Sequence, residues 1–582
     1  MTVRFPAVDL TTLRLRARVL LVVLGGAATG LSWQPYGLWP LLLLGIPALT
    51  VAVRGVRLRR AFWLGGVFAL VMLTLTLGWI HVLGLPIALA LIAFMALYYA
   101  LMSVGLRLVS RLPGWPIWSA CCWVLCEYVF SRVPLGGFGW ARIAYAAVDT
   151  PLAGFLPVLG VAGLSFLVAL VPHLLIWALL PDPDRDNAAP PARAPRALAV
   201  GIGASIVICL TGLGLTRFQV EPLDPGQGSV NVGIVQGNVP GRGIDALGRA
   251  RSVTYNHLSE TINLMTRSRL GQTPVPDFIL WPENSTDIDP IQDAQTRATV
   301  QSAVDIADRP IFVGAVTEGP GPDERQTTGI WWDPVNGPGV EYHKRNLVPF
   351  GEWIPFRAQL LPLIPMLQMV GAQSVPGTTP GALTVGLTDG RTITVGDVIC
   401  FELAYDHTIA DAVRAGAQVM TVQSNNATYG GTGQIDQQFA ITRARAMETR
   451  REIAVATTNA LSGYIDRDGH VVYRTQQFTA ASTTVTMPLR QALTPALTIG
   501  PWVNRLLALA GLMSILAGAV AGMRRHPELA TVTSTGSPGE PAEDRVVLVG
   551  HTGQTDIGEP TATAQQPPGA TRPDESKRGS SL

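Results

Sequence analysis

Eight apolar stretches constrain this chain more than any other feature of its sequence. A helix needs about 20 mostly apolar residues to cross the hydrocarbon core of a bilayer. The predicted spans cover about residues 17–34, 38–53, 61–82, 86–106, 115–131, 155–180, 197–216 and 501–523. Because further spans follow the first, we interpret it as a span rather than a cleaved signal peptide. The mean hydropathy of +0.30 is typical of a membrane protein, and we predict an α-helical membrane bundle.

Arginine residues collect beside short loops on one side of these spans. The clusters are Arg4 with Arg14, Arg16 and Arg18; Arg54 with Arg57, Arg59 and Arg60; Arg107 with Arg111; Arg185 with Arg193 and Arg196; and Arg524 with Arg525. Positive charge close to span ends marks the cytoplasmic side of a membrane protein. We therefore predict a multi-pass plasma-membrane protein whose N- and C-termini are cytoplasmic. The net charge of +2 is too small to indicate a nucleic-acid partner.

The polar segment between the seventh and eighth spans has the pattern of an α/β domain. Strand-like runs such as SVNVGIVQ and TITVGDVIC alternate with stretches whose apolar residues recur every three or four positions. That alternation favours a sheet covered by helices. The predicted organisation is a seven-helix membrane domain at 1–216, an extracytoplasmic domain at 217–500, an eighth membrane helix at 501–525 and a disordered cytoplasmic tail at 526–582.

One cysteine, Cys400, lies outside the apolar runs that hold the other four, and it ends the strand-like stretch GDVIC. With no partner outside the membrane it is not expected to form a structural disulfide. No second cysteine or nearby histidine pair gives it metal-ligand spacing, so we expect no metal. A free cysteine usually packs as a small apolar side chain. Whether Cys400 is reactive therefore depends on the polar residues that the fold brings to it.

Two polar residues stand out as candidates for that role. Glu283 follows the strand-like run DFILW, and Pro282 interrupts the hydrogen-bond ladder there. A carboxylate beside Trp281 would be partly desolvated and would become a better base, although a Glu at a strand end is more often a solvated turn residue. Lys344 is one of two lysines among 43 basic residues. A chain that otherwise uses arginine keeps a compact ammonium at this position, which indicates a specific need for it.

Cys400, Glu283 and Lys344 form a chemically complete set for acyl transfer. A carboxylate can accept the proton of a thiol nucleophile, and an ammonium with a backbone N–H can stabilise the oxyanion formed at a carbonyl. The implied intermediate is a thioester. Histidine offers the rival arrangement, because His343 and His407 flank the same motifs. On a strand, however, His343 and Lys344 would point to opposite faces of the sheet.

The motifs around these residues resemble those of the nitrilase (carbon–nitrogen hydrolase) superfamily. They occur in the order WPENS, HKRNLVPFGEW and ICFELAY, and further matching segments are VQGNVP, SNNATYG and GGFGWARIAYAAVDTPLAGF. Seven spans before such a domain and one after it make the chain similar to the apolipoprotein N-acyltransferase family over about residues 15–525. The resemblance implies a nitrilase-like αββα sandwich outside the membrane, joined to the helical bundle.

The resemblance also implies roles for individual residues. Glu283 would be the general base, Lys344 the oxyanion stabiliser and Cys400 the nucleophile. Glu352 and Glu402 match acidic residues that support the site, although both could be ordinary charged loop residues. Residues expected to contact substrate are Trp281, Phe401, Asn425, Tyr429, Trp140 and Trp353.

The implied reaction has two half-reactions and needs no metal or cofactor. Cys400 would take a fatty acyl chain from a membrane phospholipid, and the free α-amine of a diacylglyceryl-cysteine at the N-terminus of an apolipoprotein would then accept it. The apolar segment 350–371 could act as a lid at the membrane surface, or it could be a core-packed helix and loop.

Two other function classes and one further partner remain open. A membrane-tethered amidase could use the same three residues, and a scaffold could keep the fold without catalysis. The arginine-rich composition is compatible with an actinobacterial source, in which some relatives are fused to or contact a polyprenol-mannose synthase. Contact with such a synthase through the membrane domain or the tail is a possible further interaction.

Overall fold

Helices dominate both ends of the described chain. The structure is a computed structural model that describes residues 13–177, 194–217, 228–239 and 251–524. The predicted tail at 526–582 lies outside the described residues, as do Arg4, Arg185, Arg193 and Arg525. The helices at the two ends are α1 (Leu15–Leu31), α2 (Leu42–Val53), α3 (Leu58–Leu77), α4 (Leu85–Val109), α5 (Trp115–Phe130), α6 (Leu156–Trp177), α7 (Ala194–Arg217) and α13 (Pro495–Arg524).

Five helical segments among the described residues are long and apolar enough to cross a membrane. They are Leu58–Leu83, Leu85–Val109, Pro151–Trp177, Leu198–Arg217 and Pro495–Met523. Helices α1, α2 and α5 are shorter, with 17, 12 and 16 residues. These helices form an apolar bundle of the kind that a membrane domain requires.

Small residues let the helices of the bundle approach each other closely. A Cβ added at Gly26 of α1 would overlap the backbone oxygen of Phe68 in α3, and one added at Gly65 of α3 would overlap the hydroxyl of Ser103 in α4. Close approach of this kind supplies the van der Waals packing that holds helices together where the surrounding lipid is as apolar as the helices themselves. The sequence of helices α1, α3 and α4 therefore specifies their mutual packing.

The α/β domain contains two sheets. Their strands are β1 (Ser229–Gln236), β2 (Phe278–Leu280), β3 (Ile311–Glu318), β4 (Glu324–Asp333), β5 (Gly337–His343), β6 (Gln373–Ser374), β7 (Ala382–Gly386), β8 (Thr392–Ile399), β9 (Val419–Ser424), β10 (Ile453–Thr457), β11 (Gly463–Ile465), β12 (Val471–Arg474) and β13 (Ala481–Pro488). The first sheet has the strand order β13-β1-β2-β3-β4-β5, with β6 paired to β4, and the second has the order β12-β11-β10-β9-β8-β7. Strands β1, β2 and β3 run parallel, as do β8, β9 and β10.

Three apolar layers hold these sheets and their helices together. Between the sheets, residues such as Phe312 of β3 pack with residues such as Val395 of β8. The outer face of the first sheet packs against α8 (Ser252–Arg269) and α9 (Ala294–Ala307), and the short helix α10 (Arg357–Leu360) lies between β5 and β6. The second sheet is covered by α11 (Asp406–Arg414) and α12 (Gly433–Thr449), whose buried residues continue into the membrane bundle as one cluster. The predicted αββα sandwich is therefore present.

A buried ion network joins the sandwich to the membrane bundle. Asp406, at the start of α11, accepts hydrogen bonds from Arg142 (2.6 Å) in the loop after α5 and from Arg445 (3.0 Å) in α12. Arg445 also donates to the hydroxyl of Tyr145 (3.0 Å). Burial alone would raise the pKa of Asp406, but the two guanidinium groups outweigh burial and hold this pKa well below its usual range. The network therefore remains charged at physiological pH.

We expect the substitution Asp406→Asn to destabilise the folded protein. It leaves the buried guanidinium groups of Arg142 and Arg445 without this carboxylate, which should cost about 3 kcal/mol, the lower end for breaking a buried ion pair. The midpoint temperature of thermal unfolding in detergent measures the effect.

Asp411 provides a matched control on the same helix. It pairs with Arg345 (2.9 Å) and Arg414 (3.2 Å), which are more exposed than Arg142 and Arg445. Since such pairs contribute only about 0–1 kcal/mol, Asp411→Asn should leave the midpoint nearly unchanged. Equal shifts for the two variants would contradict the interpretation.

Candidate active site

Cys400 occupies a strained turn at the end of strand β8. Its backbone has a φ of +54°, in the left-handed region that is unfavourable for a residue with a Cβ. A short 3₁₀ turn, Cys400–Ala404, follows directly. Strain of this kind costs of order 1–3 kcal/mol and persists only where surrounding contacts impose it. The residues that impose it here are therefore part of the site.

Glu402 makes the contacts that hold the turn at Cys400 in its strained conformation. Its side chain is fully buried, and its carboxylate accepts hydrogen bonds from the N–H of Ile399 (3.0 Å) and from the hydroxyl of Tyr342 (2.9 Å). It also accepts from the backbone N–H groups of Arg345 (2.8 Å) and Asn346 (3.0 Å). Burial raises the pKa of Glu402, and the backbone donors oppose that rise. Glu402 thus ties the turn at Cys400 to the loop that follows Lys344.

Lys344 lies buried between two carboxylates. Its Nζ donates to Glu283 Oε1 (3.0 Å) and to Glu352 Oε1 (2.9 Å), and the residue is only 2% exposed. Burial alone would lower the pKa of Lys344, but Glu283 and Glu352 outweigh it and hold this pKa well above its usual value. The ammonium is therefore charged across the physiological range, and Glu352 fixes its position while also accepting the N–H of Val348 (2.7 Å).

Glu283 links Lys344 to the strand next to Cys400. One carboxylate oxygen binds Lys344, and the other accepts the backbone N–H of Asn425 (2.7 Å), directly after strand β9. Asn425 therefore meets the site through its backbone, while its side-chain oxygen accepts from Thr458 (3.2 Å). Because β8 and β9 are parallel neighbours, their carboxyl ends bring Cys400 and Asn425 to one edge of the second sheet.

The Cys400 thiol is a weak acid in this environment. Its pKa is raised to about 12, mainly by burial and also by Glu283, whereas Lys344 acts to lower it. The sulfur lies 3.9 Å from Asn426 Oδ1, which also accepts a hydrogen bond from Ser424 (2.8 Å). The thiol is consequently protonated at rest, and it needs a base before it can act as a nucleophile.

An aromatic wall from the membrane domain borders the residue after Cys400. Phe401 stacks on Trp140 with ring centroids 5.9 Å apart and an interplanar angle of 8°, and on Phe138 at 5.5 Å. Trp79 meets Tyr429 edge to face at 5.2 Å. The wall thus consists of rings from both domains, and it places an apolar surface next to the nucleophile turn.

Gln437 of helix α12 fixes two of these rings. Its side-chain oxygen accepts the indole N–H groups of Trp79 (3.1 Å) and Trp140 (2.8 Å). Its amide nitrogen donates to the backbone oxygens of Gln34 (2.9 Å) and Thr76 (2.8 Å). One amide group from the α/β domain therefore makes four hydrogen bonds to the membrane domain.

Two family models match this chain. The apolipoprotein N-acyltransferase N-terminal domain matches residues 25–174, and the carbon–nitrogen hydrolase domain matches residues 281–493. An apolipoprotein N-acyltransferase from Mycolicibacterium smegmatis is 34% identical over 515 residues, which cover 87% of this chain and 86% of the relative. The chain belongs to the apolipoprotein N-acyltransferase family. It is accordingly a membrane acyltransferase.

Other relatives extend the likeness beyond actinobacteria. An apolipoprotein N-acyltransferase from Shewanella oneidensis is 24% identical over 509 residues, covering 81% of this chain and 90% of the relative. Among solved structures, an amidase of the nitrilase superfamily from Nesterenkonia is 16% identical, covers 48% of this chain and 96% of its own, and has a TM-score of 0.34.

The structure of this acyltransferase brings most of the predicted residues together, with one correction. Trp281 is fully buried in the layer between the first sheet and helices α8 and α9, and its indole N–H donates to Thr261 (3.0 Å). It is a core residue, so the prediction that it contacts substrate is wrong. The apolar strand that carries it packs against α8, and the alternation of side chains turns the indole away from Cys400.

The remaining predicted residues have other surroundings. Trp353 is partly buried in the segment after Lys344, and its carbonyl accepts the N–H of Phe350 (2.7 Å). His343 pairs with Thr328 (2.9 Å) and Glu341 (3.2 Å), and His407 with Asn346 (3.1 Å). Within the described ranges neither histidine is hydrogen-bonded to Cys400, so the rival Cys–His arrangement is not formed.

One group of potential metal ligands occurs among the described residues, away from these motifs. Ligand atoms of Asp466, Asp468 and His470 lie within 4.8 Å of one another. Asp466 accepts the backbone N–H groups of Asp468 (2.9 Å) and His470 (2.8 Å), and Asp468 pairs with Arg450. These carboxylates are therefore engaged in closing a turn.

The electrostatics of the site predict how the thiol should react in two variants. Alkylation by iodoacetamide requires the thiolate, so the rate at Cys400 should still rise at pH 10, whereas a peptide thiol levels off above its pKa of about 8.5. Glu283 raises the thiol pKa, so Glu283→Gln should move the profile to lower pH. Lys344 lowers it, so Lys344→Met should move the profile to higher pH. Mass spectrometry of alkylated Cys400 measures both profiles. A shift to higher pH in Glu283→Gln, or to lower pH in Lys344→Met, would refute the arrangement.

Proposed function

We propose that this acyltransferase moves a fatty acyl chain from a membrane phospholipid to the α-amine of a diacylglyceryl-cysteine through a thioester on Cys400. The observation that carries the proposal is the buried ammonium of Lys344, which lies between Glu283 and Glu352 and lowers the pKa of the Cys400 thiol. A fixed positive charge beside a thiol suits the oxyanion that forms during acyl transfer.

In the first half-reaction, Glu283 accepts the proton of the Cys400 thiol as the sulfur attacks the ester carbonyl carbon of the phospholipid. The Lys344 ammonium and the backbone N–H of Phe401 stabilise the oxyanion. The carbon–oxygen bond of the ester then breaks, and Glu283 returns the proton to the departing alcohol oxygen. Lysophospholipid leaves, and the acyl group remains on sulfur. The high pKa of the thiol makes a base at this position necessary.

In the second half-reaction, the α-amine of the apolipoprotein attacks the thioester carbonyl. Glu283 accepts a proton from the attacking nitrogen, an amide bond forms, and the carbon–sulfur bond breaks. The proton on Glu283 then returns to the Cys400 sulfur. Triacylated lipoprotein departs, and the site is restored. In each half-reaction Glu283 therefore accepts one proton and passes it on to the leaving atom, so that no proton is gained or lost.

We assign the supporting roles from the contacts described above. Glu352 positions Lys344, and Glu402 positions the turn that carries Cys400. Tyr429, the partly exposed ring of the aromatic wall, would face the acyl chain, with the buried rings of Trp140 and Phe401 packed behind it, and Asn425 would hold Glu283 through its backbone N–H. These roles leave the apolar rings for lipid and the charged groups for the reacting carbonyl.

The proposed topology has eight membrane helices, an extracytoplasmic sandwich and cytoplasmic termini. It is supported by the apolar bundle and by four exposed apolar residues of segment 350–371, namely Phe350, Phe356, Leu363 and Ile364. We propose that these side chains enter the outer leaflet and shield the thioester from water. Contact with a polyprenol-mannose synthase stays a prediction, because the tail lies outside the described residues.

The acyl-enzyme can be detected directly by intact mass after incubation with phospholipid. Wild-type protein should gain the mass of one fatty acyl group, neutral hydroxylamine should release it, and Cys400→Ala should not acquire it. Cys121→Ala is a control, since that cysteine is buried in α5. A wild type that stays unmodified would exclude the proposed donor step, and one that loses the acyl group to water without an acceptor would indicate a hydrolase.

The requirement for a compact ammonium can be tested with two neighbouring cations. Lys344→Arg keeps the charge but cannot place a planar fork between Glu283 and Glu352, so the rate of acyl-enzyme formation should fall about 100-fold or more. Arg345→Lys is the matched control, because the Arg345 side chain pairs with Asp411 and its backbone N–H is kept. Equal losses in the two variants would contradict the proposed role of Lys344.

A further inference from the structure

A polar cavity lies at the junction of the two domains, and it is not lined by Cys400. It has a volume of about 410 Å³ and is lined by the C-terminal end of α5, the first turns of α6 and α13, helix α11 and the turn after the nucleophile. Cys400, Glu283 and Lys344 do not line it. The reaction proposed above therefore gives this cavity no role.

Four arginines line the cavity, namely Arg132, Arg142, Arg414 and Arg505, together with the acids Asp406 and Glu448. Both acids are already paired. Asp406 binds Arg142 and Arg445, and Glu448 binds Arg445 (2.5 Å). Arg414 is engaged by Asp411 and by the carbonyl oxygen of Leu497. Arg132 and Arg505 therefore form no salt bridge within the described chain, and the carboxylate that acts on Arg132 is that of Asp406, which two other arginines already bind.

These two arginines are held on aromatic rings. The guanidinium of Arg132 lies 3.9 Å from the ring centroid of Tyr128, and that of Arg505 lies 5.2 Å from the ring of Trp502. Arg132 donates one N–H to the backbone oxygen of Tyr128 (3.0 Å). Among the described residues the Arg132 guanidinium makes no other hydrogen bond, and the Arg505 guanidinium makes none. A contact with a ring face leaves the N–H groups of a guanidinium available to an anion.

The position of Arg505 strengthens the case for a ligand. It is an exposed residue near the start of the apolar segment Pro495–Met523, and arginines near the ends of such segments extend to the membrane–water interface. Nearby, Ser131 lines the cavity, and its hydroxyl is buried and has no hydrogen-bond partner in the described chain. A buried hydroxyl without a partner costs about 1–3 kcal/mol, and an acceptor oxygen in the cavity would remove that cost.

The location fits the headgroup level of a bilayer. Three helix ends meet here, and all of them adjoin the α/β domain. Trp502 is 60% exposed, as expected for a residue at the membrane–water interface. Exposed apolar residues of α13 such as Leu506 and Leu509 continue from this level along the helix, where acyl chains could lie. Arginine forks bind phosphate oxygens in pairs.

We propose that this cavity binds the phosphate headgroup of an anionic phospholipid, with Arg132 and Arg505 as its ligands and the hydroxyl of Ser131 as a further donor. The bound lipid is separate from the acyl donor at Cys400. It bridges helices α5 and α13 directly above the Arg142–Asp406–Arg445 network, and so it holds the α/β domain against the membrane. The inference goes beyond the acyl transfer proposed above and does not depend on it.

The test uses the full-length protein and a phosphatidylglycerol with ether-linked chains, which cannot donate an acyl group. Native mass spectrometry should count one fewer tightly bound lipid on the double variant Arg132→Gln/Arg505→Gln than on wild type, with at least a tenfold loss of affinity. Arg111→Gln is the matched control, because Arg111 approaches α13 at its opposite end, beside Gly522. It should retain the wild-type number of lipids.

Three outcomes would overturn the proposal. The first is an unchanged lipid count in the double variant. The second is displacement of the lipid by millimolar inorganic phosphate, and the third is thermal stabilisation by phosphate in lipid-free detergent that equals the stabilisation by the lipid. The last two would indicate a site for a free anion.

Two further measurements keep these outcomes interpretable. Acyl-thioester formation on Cys400 from an ester phospholipid reports separately on the proposed function and on correct folding of the variant. If the glutamine variant does not fold, Arg132→Lys/Arg505→Lys keeps the charges but removes the forks. It should bind lipid more weakly than wild type, and equal affinity would count against the proposal.

Discussion

The buried ammonium of Lys344 is the interaction on which the site depends. An unpaired ammonium in a protein interior would be neutralised, so its charge requires carboxylates at short distance. Glu283 and Glu352 meet this requirement at 3.0 and 2.9 Å. Pairing with Glu283 joins the end of strand β2 to the end of β5, and Glu283 then reaches across to the second sheet through Asn425. One cation therefore fixes the relative position of both halves of the sandwich where Cys400 lies.

Much of this arrangement could be predicted from the sequence. The strand-like runs SVNVGIVQ, DFILW and TITVGDVIC coincide with β1, β2 and β8, because β-branched residues in short runs bounded by turns are a strong local signal. The isolation of Lys344 among arginines and the position of Cys400 at the end of an apolar strand pointed to residues that the fold brings together. Strands such as β5 (GPGVEYH) were missed, since glycine and proline hide the alternation that predicts a strand.

Other features carry no local signal. Gln437 lies in a helix with many polar residues, and nothing in its spacing indicates that its amide meets two tryptophans nearly 300 and 360 positions away. The same holds for Asp406, whose partners come from a membrane loop and from another helix. Trp281 shows the opposite error: it is adjacent in sequence to the Glu283 motif, but its side chain belongs to the outer layer of the first sheet. The surroundings of these side chains are set by contacts with residues far away in the sequence, and a local sequence pattern does not show them.

The contacts of Gln437 and Phe401 bear on how such an enzyme could arise. A hydrolase sandwich has a complete core of its own, yet here one wall beside the nucleophile is made of Trp140 and Phe138 from the membrane domain. The two domains therefore share the aromatic wall beside the nucleophile turn. A chimera that combines the sandwich of one relative with the helices of another would keep two intact folds and still lack this wall, unless the glutamine and its tryptophans were exchanged together. The residues of the interface must therefore be inherited together with the domains that they join.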